Sequence, residues 1–396
     1  MGWVQSLGSL VDLAPGWSPS ASYSAGSLQL YDRYYYDYAT LYRTQPNVRT
    51  CVDFLARNIA QLGLHVFRRV SDTDRQRLTD HGLAQTIARP LPPEYKVTRY
   101  RLIEALVSDL GVYWNAFWIK VRAGGRVGLL HIPPPYVTVH GGLAPTSYEV
   151  TLGGKRFVFP PDQVVHFRGY NPSNPTVGLS PLETLRRILA EEQAMGDYRE
   201  YFWQNAARIS GIIERPLEAP EWSLAAQERF RVEWAEFYSG AMNSGKTPIL
   251  QDGMKFKEAS FNAQQSEYLG SRKLTREECA RAYHIPLPLV GILDHATFSN
   301  IKEQHKHLYQ DCLGPWLTML EEEIELQLLP EFEDSQDVYV EFNIQEKLQG
   351  SFEEQVAALQ SAVGAPYMSR NEARARMNLP SVEGGDEIVT PLNVLV

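Results

Sequence analysis

The stretch Pro46–Gly63, which reads PNVRTCVDFLARNIAQLG, contains the clearest secondary-structure signal in this 396-residue sequence. Its apolar residues recur at the spacing of one helix face: Val48, Cys51, Val52, Leu55 and Ile59. Proline suits the first turn of a helix and glycine often follows the last turn, so we predict a helix that begins near Pro46 and ends at Gly63. The β-favouring run Leu64–Val70 follows directly and predicts a strand.

Downstream of this pair, the sequence predicts a helix over Lys96–Leu110 and then a series of short strands with Gly-Gly turns at 124–125 and 153–154. The predicted strands are Asn115–Val121, Val127–Ile132, Tyr136–His140, Glu149–Leu152 and Phe157–Phe159. Strands joined by such turns pair as hairpins, so the pattern predicts an α+β fold and not a doubly wound parallel sheet.

The second half of the sequence is mainly helical. The predicted elements, in order, are helix Leu182–Arg208, strand Ile212–Arg215, helix Ser223–Tyr238, a hairpin of Pro248–Leu250 with Lys255–Glu258, helix Ala263–Tyr283, a helical stretch Ile301–Leu329 kinked at Gly314-Pro315, strand Val338–Phe342, and helices Phe352–Val363 and Ser369–Asn378. Helix Ala263–Tyr283 has too few apolar residues for a continuous stripe, so we expect it to contact solvent or other copies of the chain.

Two local patterns accompany these helices. Ser369 and Glu372 match a capping box. The acidic run Glu321–Glu325 is expected on a solvated helix face.

Composition excludes several classes of protein. Hydrophobic content of 44% and charged content of 21% are ordinary for a globular chain. There is no apolar run of about 18 residues, so we predict no membrane-spanning helix, and the N-terminus lacks the basic and apolar regions of a secretory signal. The net charge of −9 is opposite to that of a protein that coats DNA. Three cysteines are too few for a disulfide framework.

Residues 1–45 are rich in Ser, Gly and Tyr and show no helical or strand period. Two interpretations of this N-terminal arm stay open. It is either a flexible arm or an arm that orders on a neighbouring subunit, because tyrosine is favoured at protein interfaces.

The segment Gly240–Thr247, GAMNSGKT, satisfies the phosphate-binding pattern GxxxxGK[ST] through Gly240, Gly245, Lys246 and Thr247. A true phosphate loop needs a strand before it and a helix after it, because the helix N-terminus helps to hold the phosphates. Here a predicted helix precedes the segment and Pro248 follows it. We therefore interpret the match as a false one, a glycine-rich turn with an exposed lysine.

No other motif predicts catalysis or a metal site. Cys279, His284, His305, His307 and Cys312 lack the two tight ligand pairs of a zinc site. No nucleophile or metalloprotease motif is present. We predict that the protein is not an enzyme and needs no cofactor.

A series of short motifs nevertheless has a recognisable order. They are the helix start Pro46–Val52, Asn115–Phe117, Val164–Arg168, Gly178–Leu182, Tyr201–Ala206, Ser210-Gly211, Gly245-Lys246, Ile285-Pro286, Gly291, Phe298–Asn300 and Ser369–Arg374. Over about residues 45–380 the sequence resembles the portal proteins of long-tailed bacteriophages.

This resemblance implies an α+β portal fold with a mixed α/β wing, a helical stem, a small α/β clip and a short helical crown. The implied divisions are arm 1–45, wing 46–181 and 301–343, stem helices 182–208 and 264–286, clip 209–263, tunnel loop 287–300 and crown 344–396. It implies a ring of about twelve subunits at one vertex of a virion capsid, assembled in the host cytoplasm. Double-stranded DNA would pass through this ring without sequence specificity during packaging and ejection.

The resemblance also implies protein partners: the terminase large subunit, a head-tail adaptor and the major capsid protein. Two other functions stay open from the residues themselves. One is a nucleotide hydrolase that uses Gly240–Thr247. The other is a minor virion or adaptor protein without a DNA channel.

Two further expectations concern particular residues. The clip strands should join neighbouring subunits, with the docking residues Lys246, Ile249, Asp252, Gly253 and Lys255. The tunnel loop should project into the channel through Leu289, Val290, Gly291, Ile292, Leu293, Asp294 and His295. An apolar loop of this kind is costly to expose unless neighbouring copies cover it.

Overall fold

The computed structural model describes residues 37–71, 74–123, 125–204, 211–216, 221–238, 250, 253–258, 264–292, 307–344, 360–363, 368–376 and 381–388. The α-helices are α1 (Tyr38–Thr44), α2 (Pro46–Ala60), α3 (Gly82–Ala88), α4 (Arg99–Tyr113), α5 (Leu182–Gln204), α6 (Leu224–Tyr238), α7 (Gln264–Ala282), α8 (Gly314–Gln327) and α9 (Arg370–Arg376). The strands are β1 (Leu64–Arg69), β2 (Arg75–Arg77), β3 (Asn115–Ala123), β4 (Arg126–Ile132), β5 (Val137–Gly141), β6 (Pro145–Leu152), β7 (Lys155–Phe159), β8 (Val164–Arg168), β9 (Gly211–Glu214), β10 (Lys255–Glu258) and β11 (Val338–Phe342).

The strands form small antiparallel sheets, as the α+β prediction requires. Their strand orders are β11-β1-β2, β4-β3-β8, β5-β6-β7 and β10-β9. In the first sheet Val66 lies opposite Val340, which joins chain segments 274 residues apart. The sheet therefore closes the body of the protein with a strand from near its C-terminus.

The predicted apolar stripe of α2 is confirmed. Val48, Val52 and Ile59 are fully buried, and α2 packs against α4 so closely that a Cβ at Gly111 would lie 3.1 Å from Val52. Burial of each such aliphatic side chain contributes about 1.5–3 kcal/mol. These helices form the main core together with α5, α7, α8 and the sheet β11-β1-β2.

Strand β3 separates the main core from a second core. Ala116 and Trp118 face the main core, whereas Phe117 and Ile119 face the second core beneath β5-β6-β7. Side chains alternate between the two faces of a strand, so a strand buried on both faces is continuously apolar. No helix among the described residues is both long and apolar enough to cross a membrane.

Several predicted boundaries were wrong at the helix ends. Helix α4 begins at Arg99 and not at Lys96, because Lys96 has a left-handed φ of 51° and the Thr98 hydroxyl caps the helix by accepting from the Arg101 N–H at 3.2 Å. The helix also continues through Gly111 to Tyr113. Helices α1 and α3 and strand β2 were not predicted, and α1 lies within the segment assigned to the N-terminal arm.

The described partner of β10 is β9, a pairing that the sequence did not predict, while the predicted hairpin between Pro248–Leu250 and Lys255–Glu258 stays a prediction. Strand β10 pairs with β9, with Lys255 opposite Glu214 and Glu258 opposite Gly211. Residues 248 and 249 lie outside the described residues. A turn with Gly253 in the left-handed region does precede β10, but the described strand that pairs with β10 is β9, from an earlier part of the chain.

The kink predicted at Gly314-Pro315 is a change of helix type. A π-helical turn, Leu308–Leu313, runs directly into α8. Pro315 has no N–H to donate to the preceding turn, which accounts for the local rearrangement. Residues 301–306 of the predicted helix, like 205–208, 352–359 and 377–378 of others, lie outside the described residues.

The capping box before α9 is confirmed. The Glu372 N–H donates to Oγ of Ser369 at 3.2 Å, and the Ser369 N–H donates to the Glu372 carboxylate at 2.8 Å. The polar helix predicted at 263–283 is α7, and its C-terminal part is less exposed than expected. Cys279, Ala280 and Tyr283 are buried in the main core of the same chain.

Candidate functional site at the base of the long helix

Three sequence motifs that lie far apart in the chain meet at the base of α5. Asn115 begins β3, His166 lies in β8, and Gly178 lies in the segment that leads to α5; all three residues are buried. The Asn115 side chain donates to the Gly178 carbonyl at 3.0 Å and to the Tyr113 carbonyl at 2.8 Å. Its oxygen accepts from the Gly178 N–H at 2.7 Å. One amide thus binds both backbone groups of Gly178.

Two glycines allow the chain segments to pass this closely. A Cβ at Gly178 would lie 2.0 Å from the backbone oxygen of Trp114, and one at Gly169 would lie 1.1 Å from Nε1 of Trp114. Trp114 itself ends α4 in the left-handed region, with a φ of 57°. Any side chain at position 178 would therefore displace backbone at the junction.

Ser180 fixes the first turn of α5. Its hydroxyl donates to the Val112 carbonyl at 2.5 Å and accepts from the Leu182 N–H at 3.1 Å. Leu182, Leu185 and Leu189 then bury one face of α5 in the main core. From the other side, the Tyr38 hydroxyl donates to Glu183 at 2.6 Å. The start of the long helix is thus attached to both α1 and α4.

His166 is a structural residue and not an acid–base group. Burial, together with nearby Arg168, lowers the pKa of His166 to about 3, so the ring is neutral. The Asn115 oxygen can only accept, so Nε2 of His166 carries the proton and donates to this oxygen at 3.2 Å. Nδ1 then accepts from the Tyr148 hydroxyl at 3.3 Å, and the ring stacks on Phe117 at 4.4 Å.

Helix α8 connects this junction to the rest of the body through Gln327. Its amide accepts from the His166 N–H at 2.8 Å and donates to the His166 carbonyl at 3.0 Å. Strand β8 is an edge strand, whose outward backbone groups otherwise lack partners. Gln327 therefore takes the place of a neighbouring strand.

The prediction that the acidic run Glu321–Glu325 lies on a solvated face was wrong for two of its members. Glu321 accepts from the Phe342 N–H at 2.7 Å, and Glu325 accepts from the Val340 N–H at 2.9 Å. These carboxylates satisfy the open edge of β11. Burial, reinforced by the neighbouring carboxylates Glu341, Glu325 and Glu322, raises the pKa of Glu321 from 4.5 to about 7.

We expect Glu321→Gln to stabilise the protein at alkaline pH. The raised pKa means that the folded state holds a proton that the unfolded chain has released, so stability falls as the pH rises from 4.5 through about 7. The glutamine oxygen can still accept from Phe342 without this penalty. Because the side chain is only half-buried, we expect a gain of about 1 kcal/mol at a pH near 8.

Urea unfolding at several pH values measures this effect. The exposed residue Glu94, which is not among the groups that act on Glu321, provides the control: Glu94→Gln should leave the contribution of Glu321 to the pH dependence unchanged. An unchanged slope in Glu321→Gln between pH values of about 5 and 8 would contradict the prediction.

The predicted tunnel-loop residues are divided between the body and the undescribed part of the chain. Leu287–Val290 is a 3-10 turn, and Leu289 and Val290 pack, partly buried, against the main core. Gly291 follows with a left-handed φ of 85° and is exposed. Ile292 is half-buried, and Leu293, Asp294 and His295 lie outside the described residues. The first part of the segment is therefore attached to the body.

Among the predicted docking residues, Gly253 and Lys255 are described. Gly253 has a φ of 70°, as a turn glycine does, and Lys255 is exposed in β10. Lys246, Ile249 and Asp252 lie outside the described residues, as do Gly240, Gly245 and Thr247. Helix α6 precedes that segment, which is the reverse of a phosphate loop.

The cysteines and histidines do not form a metal site in the described part of the chain. Cys51, Cys279 and Cys312 are buried thiols, and burial raises the pKa of Cys51 and of Cys312 to about 12. His284 is exposed, His307 bonds Asp311 at 2.6 Å, and His305 lies outside the described residues. No group of three or more potential ligands occurs among the described residues.

Sequence reasoning quoted Asn115, His166 and Gly178 as parts of motifs but did not predict that they meet. Gln327 was missed altogether. One available signal was the pair of glycines, Gly169 and Gly178, in the segment between β8 and α5, since glycine permits close backbone contact.

Comparison with known proteins gives consistent results. A family model described as phage portal protein matches residues 46–378. The portal protein of Enterobacteria phage HK97 is 26% identical over 342 residues, which cover 85% of this chain and 79% of that protein. An uncharacterised protein of Rickettsia bellii is 24% identical over 355 residues, 88% of this chain and 90% of that protein.

Solved structures share the fold. The neck of an empty gene transfer agent (GTA) particle, computed with C6 symmetry, has a chain with a TM-score of 0.60 and 22% identity, and the match covers 88% of this chain and 95% of that one. An HK97-family phage portal protein from Corynebacterium diphtheriae has a TM-score of 0.57 and 17% identity, covering 76% and 93%.

Proposed function

This chain belongs to the phage portal protein family, and from that membership we propose that it forms a ring at one vertex of a capsid, through which double-stranded DNA enters and leaves. The match to the family over residues 46–378 carries the proposal. The similar chains in neck structures of GTA particles, some computed with C12 symmetry, support a ring of about twelve copies. The family is structural, which agrees with the prediction that the chain is not an enzyme.

We assign the parts of the chain accordingly. The wing is the body that is built from α2, α4, α8 and the sheets β11-β1-β2, β4-β3-β8 and β5-β6-β7. Helices α5 and α7 are the stem, and β9, α6 and β10 belong to the clip. The junction of Asn115, Gly178 and Ser180 then connects wing to stem. We propose the clip as the docking site for the terminase large subunit and the head-tail adaptor, and the wing as the contact with the major capsid protein.

The charge of the chain suits passage of DNA. A ring of twelve chains of net charge −9 would carry about 108 negative charges. Nonspecific affinity for DNA comes mainly from Lys and Arg at the phosphates, so an acidic ring lets a duplex slide. Within the loop 287–300, we propose that Leu289 and Val290 form the attached base, while Gly291 and the following residues line the opening.

We expect the purified chain to form rings of about twelve subunits with an open axial channel. Particle imaging and mass measurement test this, and the same images show whether residues 291–300 lie near the axis. A chain that stays monomeric at all concentrations would contradict the proposal. Nucleotide turnover that disappears in Lys246→Ala would instead favour the hydrolase alternative, and compact particles without a channel would favour the adaptor alternative.

A further inference from the structure

The outer face of the sheet β11-β1-β2 carries an unusual layer of aromatic rings and guanidinium groups. Phe67 and Tyr339 stack with their ring centroids 5.7 Å apart. The Arg75 guanidinium lies 4.5 Å from the Phe67 centroid, and that of Arg69 lies 5.9 Å from the Tyr339 centroid. Cation–π contacts of this kind hold the guanidinium groups against the sheet. We call these residues, with Arg77, the arginine face.

Two of these arginines have unused hydrogen-bonding capacity. Arg75 is paired with Glu341. Arg77 contacts Nδ1 of His65 at 2.9 Å, and neither Arg77 nor Arg69 pairs with a carboxylate within the described part of the chain. Both are exposed. At the ends of the sheet, Arg68 pairs with Asp334, and Asp74 and Asp337 are exposed. The face itself therefore presents two exposed guanidinium groups that pair with no carboxylate of the described residues, although Arg77 contacts His65.

A groove on α8 has the complementary chemistry. It has a volume of about 660 Å³ and is lined in part by Pro315, Thr318, Met319, Glu322, Glu323 and Leu326. Glu322 is exposed, and Leu326 is 73% exposed although it is apolar. The carboxylates of Glu322 and Glu323, the latter hydrogen-bonded to Gln327, thus border an apolar surface that the described part of the chain leaves uncovered. We call this surface the α8 groove.

The two surfaces both face away from the main core. In the sheet, Val66 and Val340 alternate with the residues of the arginine face and are buried. In α8, Leu320 and Ile324 occupy the buried side of the helix. A ring with head-to-tail contacts requires two different, complementary surfaces on every chain. The arginine face and the α8 groove meet that requirement.

We propose that the arginine face of one copy docks into the α8 groove of the next copy in the ring. This inference rests on the ring proposed above. Guanidinium forks pair well with carboxylates, and here Arg69 and Arg77 would meet Glu322 and Glu323. Phe67 and Tyr339 would cover Met319 and Leu326. The alternative occupant of the arginine face, a nucleic-acid phosphate backbone, would leave the apolar part of the groove uncovered.

Charge exchange between the surfaces tests this docking. The face variant is Arg69→Glu with Arg77→Glu, and the groove variant is Thr318→Lys with Glu322→Arg; both alter exposed side chains. We expect each variant to raise the concentration needed for ring formation at least about tenfold. A chain with all four substitutions should regain most of the ring formation. The control replaces two exposed arginines elsewhere, Arg126 on β4 and Arg156 on β7, with glutamate. Its change in charge equals that of the face variant.

The outcomes separate the two proposals. If the unaltered chain forms no ring, the proposed function fails. If it forms rings and the face and groove variants do so equally well, only the docking inference fails. Failure of both variants without recovery in the fourfold variant would also overturn the pairing. Normal rings in the face variant with reduced DNA retention would assign the arginine face to phosphate instead. Thermal unfolding of each monomer confirms that it is folded.

Discussion

Replacing Gly178 with alanine is expected to destabilise the protein by about 2–4 kcal/mol and to impair ring formation. A Cβ at this position would lie 2.0 Å from the Trp114 backbone oxygen and 2.9 Å from the Gly169 backbone nitrogen. These two atoms form a hydrogen bond with each other, at 3.0 Å. The three nearest atoms are all backbone, so rotation of a side chain cannot relieve the overlap. The added methyl group must therefore break this hydrogen bond, the bonds between Gly178 and Asn115, or both.

Urea unfolding of the two variants Gly178→Ala and Gly196→Ala provides the measurement and its control. Gly196 lies within α5, and a Cβ there would meet no atom within 4 Å. Alanine is favoured over glycine inside a helix by about 0.5–1 kcal/mol, so Gly196→Ala should stabilise. Equal effects of the two substitutions would refute the steric interpretation of Gly178.

The sequence predicted those elements whose signal is local. The stripe of α2 and the capping box of Ser369 and Glu372 depend on residues within a few turns of one another, and both were confirmed. The α+β class followed from glycine turns between short strands. Prediction failed at Lys96, where a left-handed residue and a threonine cap override helix propensity. Cap geometry decides such boundaries, and hydrophobic periodicity does not report it.

Long-range pairing could not be predicted from the residues alone. Strand β10 follows a suitable glycine turn, yet it pairs with β9, about 40 residues earlier. The acidic residues of α8 were predicted to lie on a solvated helix face, as runs of charged residues usually do. Instead, Glu321 and Glu325 accept from backbone N–H groups at the open edge of β11. Polar side chains that substitute for a missing strand leave no periodic signal. Gln327, which performs the same task for β8, was missed for this reason.

The body and the long helix are joined by hydrogen bonds as well as by the apolar contacts of Leu182, Leu185 and Leu189. The Gly178 N–H donates to the Asn115 side chain, and the Ser180 hydroxyl donates to the Val112 carbonyl. These two contacts fix where α5 begins. A buried polar network positions chain segments more specifically than aliphatic packing does, provided that every group has a partner. In the proposed ring, this network would set the direction of the stem relative to the wing in every subunit.

Asn115→Ala is expected to remove about 3–5 kcal/mol of stability, because it leaves several buried polar groups without partners at once. The Gly178 N–H, the Gly178 and Tyr113 carbonyls and Nε2 of His166 each lose a bond to the amide. Burial lowers the pKa of His166 and keeps the ring neutral, so the buried Nε2–H is left without its acceptor. Asn58→Ala is the control, since the Asn58 amide donates to the Phe54 carbonyl of its own helix and accepts only from the exposed Gln61, so its loss should matter little. Denaturant unfolding compares the two, and hydrogen exchange should show loss of protection first at Gly178 and along the start of α5. A loss below about 1 kcal/mol in Asn115→Ala would mean that water replaces the amide, and the junction would not be the rigid connection inferred from its geometry.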